Sequence, residues 1–402
     1  MRFTYSLVAS LLVFCLIGLL FTSPASAFIE REYTVREVLN ACTNIVFGEV
    51  KSVDRSQSRE RGVVTIKEDV KGKSGLKEIK MNFATGHYKR GTSPQKLVKL
   101  LKPGMPIIVF YREHYGIDSM CFVDNTWFQM RAYRGGYGGG SWWSFTHIDP
   151  MMSRTFDGKT KAFQKIVSDM LAGKMWVAAP KNAVKVLVLT GNSTYPTWSQ
   201  TPVSANVATY EYQALRSIKE SGKRAVAYEL TKERMLPQLE KADVLWIGYE
   251  EISSYGRYLL PSKAEEKIKR FVKNGGIVVV AGQDSSPEKP CGIGWLQGGK
   301  LKGVESPPTQ DFVVTKKGSS LFSIPNAITS GKIFVDDAWV DWDRKDEVFA
   351  TTKETKELVV GMRRSGKGLY IITSLRNDGQ YTTSVNKAFM QNIMHYAVSQ
   401  LK

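Results

Sequence analysis

Residues that enzymes commonly use for proton and group transfer are scarce in this sequence. It holds 4 histidines and 4 cysteines among 402 residues. His87, His114 and His147 share no metal-ligand spacing. The fourth, His395, sits among Phe389, Ile393, Met394, Ala397 and Val398 at helical spacing, which suits a packed position. The second half therefore has one histidine to offer, and no nucleophile–base triad is read there. The SGKG stretch at 365–368 lacks the upstream glycine and the following hydroxyl of a phosphate loop, so it reads as a hairpin turn. After residue 27 no apolar run is long enough to cross a bilayer.

The one long apolar run is N-terminal. Arg2 precedes an uncharged stretch over 7–21, Pro24 follows, and Ala25-Ser26-Ala27 fits a small-x-small cleavage site. That run is shorter than the roughly 20 residues a membrane span needs. Cys15 lies inside it without a lipobox. The expectation is a signal peptide at 1–27 and a secreted or periplasmic chain with no stable membrane span after cleavage.

The net charge is +18 and is shared by both halves of the chain. Nucleic acid is the usual partner for such a charge, but export argues against it. A glycan, a peptide or an envelope protein fits an exported chain better, beside the plainer reading of a basic surface that only keeps the chain soluble. No cofactor motif occurs, and none is expected. Cys42 and Cys121 lie beside strand-like runs in a compartment that permits a disulfide. A Cys42–Cys121 bridge and two buried thiols both remain open, with Cys291 unpaired.

Residues 28–150 read as a β-rich unit. A short helix is expected at 35–41, and strands at 44–53, 62–70, 77–83, 106–111 and, as one long element, 120–133. Residues 134–149 read as a glycine- and aromatic-rich loop that either packs Trp142, Trp143 and Phe145 on the strands or presents an aromatic surface to a sugar or peptide. The pattern is similar to the OB-like barrels of netrin-type modules over about 100 residues. A helix at 157–172 and a linker through 183 follow.

From residue 184 strands and helices alternate, which argues for an open α/β sheet. Strands are expected at 184–191, 224–230, 242–251 and 277–286, and a hairpin over 358–375. Helices are expected at 206–221, 231–241, 262–274 with Ser262 as N-cap, and 386–400.

Three features carry a family resemblance. These are VKVLVLTG at 184–191, ADVLWIGYEE at 242–251 followed by FVKNGGIVVVAG, and RRSGKGLYIITSL at 363–375. Over 184–402 the chain resembles the class I glutamine amidotransferase-like superfamily, and within it the trehalose-utilisation-type (ThuA-like) proteins. The resemblance implies a flavodoxin-like open parallel sheet with a nucleophilic cysteine just after the fourth strand. Here that turn is Gly282-Gln283-Asp284-Ser285, and the family's His-x-Glu pair is missing. ThuA-like proteins place histidines there and after the late SL motif, where this chain has Gly282-Gln283 and Arg376-Asn377. Glutaminase chemistry is not expected.

Open parallel sheets bind ligands outside the carboxyl ends of their strands, where strand order reverses. That edge would gather Asn192, Tyr249, Glu250, Gln283, Asp284, Arg376 and Asn377 as ligand-binding residues. Glu250 and Asp284 could split acid and base roles, and Ser285 would need a base to act. Asp337, Asp341 and Asp343 could offer oxygen ligands to a cation, or could belong to a strand and a solvated loop. Two functions follow as expectations. One is an exported, non-catalytic binding protein of the bacterial envelope. The other is a hydrolase of carbohydrate or related small molecules working through these carboxylates.

Overall fold

A strand that is apolar on both faces needs cover on both sides, and this requirement shapes both halves of the protein. The computed structural model describes residues 33–401 except 57–59, 85–93, 114–115, 134–141, 191–209, 255–256, 284–291, 294–300, 305–310, 330–332, 336 and 341–345. The expected signal peptide lies outside the described residues.

The first domain opens with α1 (Val35–Ala41), whose start is held by a capping box between Thr34 and Glu37. Seven strands follow: β1 (Asn44–Asp54), β2 (Arg61–Lys71), β3 (Glu78–Asn82), β4 (Pro106–Glu113), β5 (Gly116–Val123), β6 (Thr126–Tyr133) and β7 (Trp142–Ile148). They close into a barrel in the order β1-β2-β3-β7-β6-β5-β4. Only the β3–β7 contact is parallel. Val46, Met81, Val109, Cys121, Phe128 and Phe145 fill the interior, joined by Leu97 and Val98 of α2 (Pro94–Leu100). Ile45, Phe110, Phe122 and Trp127 point outward and are covered by α1 and α3 (Thr160–Leu171).

Two expectations change here, and one open alternative is decided. The long element at 120–133 is a hairpin, because Asp124 and Asn125 both take left-handed backbone (φ 32° and 59°) and reverse the chain between β5 and β6. The loop at 134–149 contains strand β7, which closes the barrel. Trp143 and Phe145 point inside, while Trp142 lies outside under the Arg61 guanidinium, 4.6 Å from the ring centre. The Cys42–Cys121 bridge is absent, and both thiols are free and buried. Cys121 faces the barrel interior and Cys42 packs outside with α1, so the barrel wall separates them. Burial pushes the Cys42 thiol up to about 12 and the Cys121 thiol in the same direction.

The second domain begins with β8 (Val184–Leu189) and α4 (Tyr210–Arg216). A short β9 (Glu220–Ser221) lies antiparallel on β10 (Arg224–Thr231). Then come β11 (Val244–Ile247), the small pair β12 (Ser253–Ser254) and β13 (Arg257–Tyr258), α5 (Ser262–Lys273) and β14 (Ile277–Val280). Five short strands follow: β15 (Gly292–Ile293), β16 (Leu301–Val304), β17 (Phe312–Val314), β18 (Ala338–Val340) and β19 (Glu347–Thr352). The hairpin of β20 (Leu358–Ser365) and β21 (Gly368–Thr373) leads to α6 (Gln380–Gln400).

The parallel core runs β10-β8-β11-β14-β21, with β20 antiparallel beside β21. This is the flavodoxin-like order 2-1-3-4-5, whose reversal falls between β8 and β11. Alternate residues face α4 and α6 on one side (Val186, Val244, Trp246) and α5 on the other (Leu187, Leu245, Val278). Double burial explains the unbroken apolar runs read from the sequence.

The helix expected at 206–221 is described only as α4. Residues 231–241 form a 3₁₀ turn at Leu239–Lys241 rather than a helix, since Leu236 and Gln238 hold left-handed φ of 51° and 56°. Pro261, not Ser262, is the N-cap of α5. The last helix starts six residues earlier than expected, at Gln380.

Ion pairs tie the domains together. Arg36 pairs with Glu229 at 2.7 Å and Arg216 with Glu37 at 2.8 Å, all four largely buried. The Trp176 amide also donates to Glu229 at 3.0 Å.

The thiol assignment can be checked by peptide mapping without reductant. Cys42 and Cys121 are expected in unlinked peptides, alkylated only after unfolding. A recovered Cys42–Cys121 cross-linked peptide contradicts the barrel geometry.

Candidate functional site

The carboxyl ends of β8, β11, β14 and β21 converge where the strand order reverses, and a glutamate fills the space between them. Glu211, in the first turn of α4, is 1% exposed. Its Oε1 accepts the Trp246 indole N–H at 2.9 Å and an Asn377 amide N–H at 2.8 Å. Its Oε2 accepts the Tyr249 backbone N–H at 3.0 Å. The approach requires glycine at 248, where a Cβ would lie 2.5 Å from Glu211 Oε2 and 3.0 Å from the Leu189 carbonyl oxygen. Desolvation raises the Glu211 pKa above the ordinary carboxyl value of 4.5, against the pull of these three donors; the nearby Glu251 carboxylate adds to the rise.

Gln283 is the second internal strut. Its Oε1 accepts from the Ile252 and Ser253 amides at 2.7 and 3.2 Å, and its Nε2 donates to the Gly248 and Ala281 carbonyls at 3.0 and 2.9 Å. The side-chain amide is thus spent on backbone. Asn377 passes the network on: its Oδ1 accepts from Asn386, which also bonds both backbone polar groups of Phe334. Segment 333–335 is thereby laced against the exit of β21, where Val335 bridges Leu375.

The remaining expected residues form a rim. Tyr249, Glu250 and Arg376 are half-buried. Glu250 holds a left-handed backbone (φ 59°), and its Oε2 accepts the Ser254 hydroxyl at 2.9 Å. Glu251 is sealed below, paired with Arg234 at 3.1 Å. The Arg376 guanidinium donates to Asp378 at 2.7 Å. Asp337 is buried just before β18, near the end of β21, where the Trp339 indole donates to the Thr373 carbonyl at 3.1 Å. Asn192, Asp284, Ser285, Asp341 and Asp343 lie outside the described residues, as does Cys291. Among the described residues no three His, Cys, Asp or Glu side chains gather as a metal site.

Sequence reasoning reached the edge and its rim but missed Glu211, Trp246 and Asn386. A glycine following WI at the end of a buried strand was the available signal. It marks a close approach by another group.

No protein-family model matches the chain, and no curated protein matches it. Among solved structures, the chain is similar to a putative ThuA-like protein from Bacteroides uniformis, with 12% identity, 56% of this chain and 96% of that one covered, and a TM-score of 0.35. It is also similar to a β-galactosidase from Rahnella sp. R3, with 15% identity, 60% of this chain covered and a TM-score of 0.34. A third is an exo-β-1,4-mannosidase from an Opitutaceae bacterium, with 12% identity, 66% of this chain and 47% of that one covered, and a TM-score of 0.31. The chain spans 37% of the length of the galactosidase.

Glu211→Ala is expected to cost about 3 kcal/mol in urea unfolding, since it strands three buried donors. A raised folded pKa means that the favourable contribution of Glu211 is complete below the unfolded carboxyl value and is lost as pH rises through the folded one. The stability difference between wild type and Glu211→Gln should therefore shrink as pH rises above about 4.5. A difference that is flat with pH refutes the raised value.

Proposed function

We propose that the protein is an exported binding protein whose α/β domain recognises a polar ligand, a glycan or a peptide of the cell envelope, without turning it over. The carrying observation is the sealed Glu211. At the strand reversal, where a flavodoxin-like sheet would seat its ligand, a carboxylate and its three donors occupy the space. A group whose two oxygens already accept three hydrogen bonds, and which is 1% exposed, is out of reach of a substrate proton. Gln283, in the turn where the family resemblance would put a nucleophile, is committed in the same way. The half-buried rim supplies a phenol, a carboxylate and a guanidinium, a set suited to hydroxyl and amide groups. The amidotransferase-like and OB-like lineages of the two domains, and the secreted or periplasmic address, belong to the same proposal.

A second reading, hydrolysis of a glycosidic or related bond, is favoured by one observation. Glu250 keeps a left-handed backbone that L-residues adopt at a cost of about 1–3 kcal/mol, and such strain gathers at functional sites.

Binding of the secreted chain to a glycan and muropeptide array, run beside chromogenic glycosides, separates the two. Saturable binding weakened about tenfold by Arg376→Ala or Glu250→Ala, with no turnover, is the expected result. Turnover lost in Glu250→Ala or Asp284→Ala moves the protein to the hydrolases.

A further inference from the structure

The opposite edge of the same sheet carries a cleft of about 400 Å³ that the reading above does not use. Its walls include Arg224, Lys267, Arg270 and Lys367, against two carboxylates, Glu240 and Asp243. Three elements deliver the cations. Arg224 is the first residue of β10, Lys267 and Arg270 stand one turn apart near the end of α5, and Lys367 sits in the turn between β20 and β21. Asp243 is partly consumed, because its Oδ2 accepts the Lys185 amide at 2.8 Å. The Lys267 ammonium is held by the Met235 carbonyl at 2.7 Å. Arg224, Arg270 and Lys367 have no side-chain hydrogen bond or ion pair among the described residues.

These side chains do not cap the α5 terminus. Its last carbonyls are already capped: Arg270 and Phe271 by Asn274 N–H, Val272 by Gly275 N–H, and Lys273 by Lys367 N–H at 3.1 Å. That last bond also fixes the turn. A Cβ at 366 would lie 2.7 Å from the Lys273 oxygen, and one at 368 would lie 2.1 Å from the Gly276 oxygen. The Gly-Lys-Gly sequence therefore lets the hairpin press against the end of α5, so that Lys367 is carried on a fixed backbone.

We propose that this cleft is an anion site that takes a tetrahedral oxyanion, a phosphoryl or sulfuryl group, with Arg224, Arg270 and Lys367 as its direct ligands. Guanidinium pairs favour such oxygens through parallel N–H donors, and the ammonium adds a point charge. The group could be free phosphate or part of a polyanion, and both present the same oxygens.

Calorimetric titration of the secreted chain with inorganic phosphate and with a polyphosphate, at constant ionic strength, tests this. Saturable binding by wild type is expected, weakened at least about tenfold in Arg270→Gln/Lys367→Gln. Lys161→Gln/Lys165→Gln on α3, an equal loss of charge elsewhere, should leave it unchanged. Both doublets alter exposed side chains, and unchanged thermal midpoints show that they fold; Arg224→Gln gives an independent reading. Tight binding of polyphosphate alone assigns the site to a polymer, and comparable affinity per phosphate assigns it to the free ion. No saturable binding by wild type, or equal weakening by the α3 doublet, overturns the proposal. Neither result bears on the glycan and peptide reading, which uses Arg376 and Glu250 at the other edge.

Discussion

The Glu211 carboxylate is the junction on which the second domain depends. Burying a charge is costly unless donors replace the water it loses. Here the donors come from three separate elements: the Trp246 indole from β11, the Tyr249 amide from the turn after it, and the Asn377 amide from the exit of β21. Removing any one leaves the others aimed at an under-satisfied carboxylate. The same bonds fix where α4 sits, how the chain leaves β11, and how the hairpin strand β21 enters α6.

That junction reaches the first domain through a short lever. Arg216 lies five residues beyond Glu211, about 7.5 Å along the helix axis. It pairs with Glu37, whose Oε2 also accepts the Thr34 backbone N–H at 2.6 Å in the capping box of α1. One carboxylate thus starts a helix on the barrel and receives a guanidinium from the sheet domain. Arg36 and Glu229 make a second buried pair beside it. Two buried pairs constrain the angle between the domains more than one, since each tolerates little misalignment before it loses its partner. The fusion is therefore a packed joint rather than a tether.

How far the sequence foretold this follows from which signals are local. Strands of the parallel core were legible because burial on both faces leaves unbroken apolar runs such as 277–280. The 358–375 hairpin was legible because Gly366 and Gly368 punctuate it. Strand β7 was not: its glycine-rich approach masked a seven-residue alternation. The choice between a Cys42–Cys121 bridge and two buried thiols stayed open for a related reason. Cys121 alternates with Met120 and Phe122, so it must face the opposite side of its strand from them. Which side is the inside depends on barrel closure, a long-range property that spacing does not encode. Glu211 was missed because a glutamate in a helix's first turn ordinarily favours the dipole and faces water. Only the strand order brings it over Gly248.

The two edges of the sheet divide the protein's polar chemistry in opposite ways. At the carboxyl edge Glu211, Gln283, Asn377 and Asn386 are buried, and their side chains bond to one another and to the backbone. At the amino edge the helix terminus is capped by backbone amides, and Arg224, Arg270 and Lys367 make no side-chain hydrogen bond among the described residues. A self-satisfied network adds specificity to a fold but offers little to a visitor. Unspent donors on a fixed backbone do the reverse, since the chain that carries them need not be ordered on binding. A sheet that has filled its usual crevice from within can still recognise ligands, provided that it does so from its rim and from its far side.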